Sequence, residues 1–82
     1  MGWDIQINPT AEAFPITHNL VEILDKWAVD FDIRYCALEP DPRLIAQLSA
    51  YRPANAIEAD VINRLLRELE ENEDGVEMML GH

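Results

Sequence analysis

The 82 residues of this chain carry sixteen acids against six Lys and Arg, a formal net charge of −10, with 49% apolar residues and three glycines. That apolar share excludes a disordered or low-complexity chain, and the length suits one small domain with a net stability on the order of 4–12 kcal/mol. The charge speaks against direct binding to DNA, RNA or anionic lipid, because those polyanions reward Lys and Arg that displace counterions.

Trp3-Asp4-Ile5-Gln6-Ile7-Asn8 alternates apolar and polar residues with period 2, the signature of a half-buried strand. Asn8-Pro9-Thr10 ends it, since Pro9 cannot donate to a ladder. Thr10 to Ala13 reads as a turn. A helix is expected over 15–28, with Pro15 near its first position. Stepping 100° per residue gathers Ile16, Leu20, Val21, Ile23, Leu24, Trp27 and Ala28 on one arc. His18, Asn19, Glu22, Asp25 and Lys26 fall opposite, Glu22 and Lys26 being an i,i+4 pair.

A second strand is expected from Phe31 to Ala37, with Phe31, Ile33, Tyr35 and Ala37 facing inward and Asp32, Arg34 and Cys36 outward. Glu39-Pro40-Asp41-Pro42 stops it and opens a helix over 42–51, with Asp41 as N-cap and Pro42 at the first helical position. The strongest helix spans 55–72. Ile57, Val61, Leu65 and Leu69 recur every four residues, and Ile62 and Leu66 widen the stripe beyond the roughly 100° of an ordinary surface helix. That width calls for two neighbours, the sheet and another helix. Asp74-Gly75 then turns the chain into a third strand, Val76-Glu77-Met78-Met79-Leu80. The expected fold is α+β: a small two-layer sandwich in the order β-α-β-α-α-β, a three-stranded sheet with helices on one face.

The chemistry-bearing residue types are sparse. One Cys and two His do not make a structural zinc site, and Glu71-Asn72-Glu73-Asp74-Gly75 lacks the alternating oxygen donors and closing Glu of a calcium loop, so no metal or cofactor is expected. His18 reads as a solvated surface histidine, and Trp3 and Trp27 as core. The lone Cys36 and the absence of a basic or apolar leader after Met1-Gly2-Trp3-Asp4 suit a cytoplasmic setting. No apolar run approaches the roughly 18 residues of a membrane span.

The physical oddity is acidic. Glu68, Glu70, Glu71, Glu73 and Asp74 crowd the end of the long helix, where carboxylates oppose the negative pole of the dipole. Arg64 and Arg67 stand four residues before Glu68 and Glu71 and offset part of that charge. Asp30, Asp32, Glu39 and Asp41, at the ends of the second strand, are expected to extend the acidic surface. The functional expectation is a non-catalytic binding module that occupies a basic surface of a protein partner, such as a nucleic-acid-binding protein, in the manner of DNA-mimicking antirestriction or anti-CRISPR proteins. The alternatives are a structural or adaptor subunit, including a homodimer formed through the sheet, and a small enzyme or ligand-binding domain using Asp30, Asp32 or Cys36.

Overall fold

The computed structural model describes residues 2–7, 12–29 and 35–81. In chain order the elements are β1 (Trp3–Ile7), β2 (Ala13–Ile16), α1 (His18–Trp27), β3 (Tyr35–Leu38), α2 (Pro42–Ala50), α3 (Ala56–Glu71) and β4 (Val76–Gly81). The sheet has four antiparallel strands in the order β2-β1-β4-β3, so the C-terminal strand lies between the first and third. The α+β class stands as expected. The strand count does not: the expected three-stranded sheet has a fourth strand at its edge.

That strand is β2, and it replaces the expected start of the first helix. Ala13-Phe14-Pro15-Ile16 pairs with β1 through Trp3↔Ile16, Asp4↔Pro15, Ile5↔Phe14 and Gln6↔Ala13. Phe14 and Ile16 face the core, while Ala13 and Pro15 are exposed. Pro15 suits an edge strand because its missing N–H removes a donor that an interior strand would need. Thr17 then serves as the extended N-cap, and α1 begins at His18 rather than at Pro15. Residues 8–11, which carry the expected Asn8-Pro9-Thr10 stop, lie outside the described residues, as do residues 30–34.

β3 presents the opposite face to the core from the one its alternation suggests. Its pairing sets Cys36 opposite Met78 and Leu38 opposite Val76, and all four side chains are buried in the core. Cys36 therefore points inward, and Ala37, opposite the exposed Glu77, points to the other face. Side-chain direction has a period of two, so a shift of one residue in parity moves every side chain of a strand to the other face. Val29 bridges Ala37 along the outer edge of β3, exchanging backbone hydrogen bonds at 2.9 and 3.0 Å.

The helices follow their local signals. α2 opens as expected, with Asp41 accepting from the Arg43 amide at 2.8 Å and Pro42 at the first helical position. Leu20, Val21 and Leu24 of α1, Leu44 and Leu48 of α2, and Val61, Ile62, Leu65 and Leu69 of α3 join Ile5, Ile7, Leu38, Val76 and Met78 of the sheet in one core. α3 packs against β2, β4 and α2, as its wide stripe requires. One member of that stripe is misplaced by the periodicity: Ile57 is 45% exposed, whereas its neighbour Glu58 is fully buried.

Leu65 is fully buried near the middle of α3. Leu65→Ala is expected to leave a cavity and lower stability by about 2–5 kcal/mol. Chemical denaturation checks this, and an unchanged midpoint would remove α3 from the core.

Candidate functional site

The acidic end of α3 is built by its exit. Asn72 is the C-cap, and its side-chain amide donates to the Glu68 carbonyl at 3.1 Å and to Glu68 Oε2 at 2.7 Å. No basic residue stands in the last turn, so this amide is what meets the carbonyl pole there. The Gly75 amide donates to the Asn72 carbonyl at 3.1 Å, which closes a turn with Glu73 and Asp74 at its centre. Gly75 has φ +86°, and its α-carbon sits so close to β3 that an added Cβ would lie 1.9 Å from the Leu38 carbonyl oxygen. The α3–β4 turn is thereby pressed against the point where β3 ends.

This packing brings two remote acidic segments together. Glu39 and Asp41, after β3, share one open depression with Glu73 and Asp74, its remaining walls being Pro40 and Pro42. Glu39, Glu73 and Asp74 are exposed, and so are Glu70 and Glu71 in the last turn of α3. Two members of the expected set have structural work instead. Asp41 caps α2 and also accepts from the Arg43 guanidinium at 3.1 and 3.3 Å, which holds its carboxyl below the usual range. Glu68 is half-buried and engaged by Asn72. Asp30 and Asp32 lie outside the described residues.

Several basic side chains are drawn onto aromatic rings. Lys26 and Arg43 lie 5.6 and 5.2 Å from the centroid of Trp27, whose indole N–H donates to Gln47 Oε1 at 2.7 Å. Trp27 is thus half-buried at the α1–α2 contact rather than deep in the core. Arg64 lies 5.5 Å from the Phe14 ring, in a groove between β2 and α3 that Glu12, Asp60, Asn63 and Arg67 also line. Such contacts hold a guanidinium or ammonium in place by the ring's quadrupole. Glu22 meets His18 at 3.1 Å, with both side chains about two-thirds exposed, which agrees with a solvated histidine.

Cys36 changes character with its parity. Burial, followed by the nearby negative charge of Asp25, pushes its thiol above the ordinary value, and the thiol donates to the Met78 carbonyl at 3.8 Å. A buried thiol of raised pKa is a poor nucleophile. Among the described residues, no group of His, Cys, Asp and Glu is placed to hold a metal ion, and no helix is long and apolar enough to cross a membrane.

The residue that periodicity missed is Glu58. Its amide donates to Asn55 Oδ1 at 2.9 Å, and Asn55 is the N-cap of α3. Asn55 followed three residues later by Glu58, just before the apolar run, is the spacing of a capping box, and that signal was legible in the sequence. The Glu58 carboxylate departs from the usual box by reaching to Ala54 N at 2.9 Å and across the fold to Tyr51 and Thr17.

Compared with protein-family models, curated proteins and solved structures, the chain shows no significant match to any of them.

Proposed function

We propose that this protein is a non-catalytic binding module whose acidic pole, Glu39, Glu70, Glu71, Glu73 and Asp74, occupies a basic surface of a protein partner in a cytoplasmic setting. The observation that carries the reading is the convergence of the β3–α2 connection and the α3–β4 turn on one acidic depression, from positions more than thirty residues apart. A solvated helix end would need no second acidic segment beside it. With a net charge of −10, the field of the whole molecule points the same way, and it would speed encounter with a basic surface such as the nucleic-acid-binding face of another protein.

The test neutralises Glu70, Glu71, Glu73 and Asp74 together, to Gln or Asn. The free variant is expected to be as stable as the parent or slightly more so, because like charges at a helix C-terminus each cost about 0.3–1 kcal/mol at low salt. Capture of basic proteins by the immobilised parent, released by duplex DNA and by rising salt, is expected to fall at least about tenfold in association rate for the variant. A folded quadruple variant that captures the same proteins at the parental rate, insensitive to salt, would remove this pole from the interface.

A further inference from the structure

Glu58 is fully buried, yet its carboxylate accepts four hydrogen bonds, and all four donors are neutral. Oε2 takes the Thr17 amide at 2.8 Å and the Thr17 hydroxyl at 2.7 Å, while Oε1 takes the Tyr51 hydroxyl at 2.7 Å and the Ala54 amide at 2.9 Å. Two carboxylate oxygens offer about four acceptor sites, so the ionised group is saturated. Protonation would remove one acceptor site and the negative charge, and the Thr17 or Tyr51 hydroxyl, which share a bond at 3.1 Å, could take the new O–H only by giving up its own bond to the carboxylate.

The position of these donors matters more than their number. Thr17 is the N-cap of α1, but its side chain does not cap its own helix. It is spent on Glu58 instead, which ties the junction between β2 and α1 to the first turn of α3 and to the α2–α3 connection. β2 is an edge strand held by β1 on one side only, and its contact with α3 closes the groove in which Arg64 covers Phe14.

We propose that Glu58 is an acid-released latch on the edge strand: its protonation weakens the charge-assisted bonds to Thr17, and β2 lifts from α3 to widen the groove beside Phe14, Val61 and Arg64, while β1, β4 and β3 stay paired. Tyr51 keeps its proton throughout, since burial and then Glu58 itself raise its hydroxyl above the ordinary value. His18, next to Thr17, is exposed and turned to Glu22. Asp60 and Arg64, on the next turn of α3, line the groove, as does Glu12 at the start of β2. The four hydrogen bonds outweigh the burial that opposes them, so the Glu58 carboxyl titrates below its ordinary value and the latch is closed at neutral pH.

An acid titration followed by amide and side-chain NMR tests the latch. The Thr17 and Ala54 amides are expected to shift together with one midpoint below the usual glutamate range. The Arg64 protons should lose the ring-current shift of Phe14 at that same midpoint, while the Val76–Leu80 amides keep their native positions. Tyr51→Phe removes one donor to the charged form and is expected to raise the midpoint, and Thr17→Ala does the same through the lost hydroxyl. Simultaneous loss of the Thr17 and β4 signals would make the event global unfolding and overturn the proposal. So would an Arg64 signal that never leaves Phe14, or a midpoint unmoved by both substitutions.

Discussion

Gly75→Ala is expected to lower stability by about 3–5 kcal/mol, a large share of the roughly 4–12 kcal/mol of a chain this size. Two effects add. At φ +86° a side chain enters the left-handed region, which costs on the order of 1–2 kcal/mol. The new methyl would also stand 1.9 Å from the Leu38 carbonyl oxygen, and that oxygen belongs to the backbone of a β3 residue paired with Val76. Backbone cannot swing aside as a flexible side chain can, so the β3–β4 ladder must part at its end. Gly75→Asn separates the two effects, since Asn tolerates positive φ but carries the same Cβ. It should be nearly as damaging as Ala. Gly81→Ala is the control, because nothing lies within 4 Å of the Cβ it would add. Urea midpoints of the three variants check the order, and a Gly75→Ala protein as stable as Gly81→Ala would contradict the packing of this turn. The same variant should disperse the acidic pole, as Gly75 is what seats Glu73 and Asp74 beside Glu39.

Glu58→Ala carries the second large effect, about 3–5 kcal/mol. Removing the carboxylate takes the acceptor from the part-buried Thr17 and Ala54 amides, and each loss costs up to the roughly 1–3 kcal/mol of a donor left without a partner. The Thr17 and Tyr51 hydroxyls keep only each other, at 3.1 Å. Glu58→Gln should lose less, because one oxygen remains, but its NH2 group faces donors. The pH dependence has a definite sign. The carboxyl is depressed in the folded protein, so its contribution is fully present above the ordinary glutamate pKa of about 4.3 and is lost as pH falls through the lower folded value. The stability gap between parent and Glu58→Gln should therefore be widest near neutrality and narrow on acidification. Denaturation midpoints of both proteins at pH 7 and pH 3 measure it, and subtracting one from the other cancels the remaining carboxylates. A gap that widens on acidification would mean that Glu58 is held as the neutral acid, and a constant gap that its carboxyl titrates alike in the folded and unfolded chain.

Gly75 and Glu58 act through contacts within the chain, whereas the acidic pole acts through a partner. Asp41 shows why charge counting alone is a weak guide: it belongs to the acidic set by type, yet Arg43 and the α2 cap engage its carboxylate. Glu39, Glu73 and Asp74 carry the reading because they are exposed and adjacent at once.

The sequence by itself determined what neighbours along the chain decide. The apolar stripe from Val61 to Leu69, the Asp41–Pro42 start of α2, and the turn before β4 depend on residues within about one helical turn, and all three appear where the pattern puts them. The tertiary structure alone decided the rest. Ala13–Ile16 is too short, and too marked by Pro15, to announce a strand; pairing with β1 makes it one. The parity of Cys36 follows from its partner Met78, forty-two residues away, because the ladder and not local alternation chooses which face enters the core. Glu58 lies inside and Ile57 outside because a carboxylate can be buried where donors wait for it, and two of the four come from Thr17, forty-one residues earlier. The meeting of Glu39 with Glu73 and Asp74 has the same origin, in the seating of Gly75 on the end of β3.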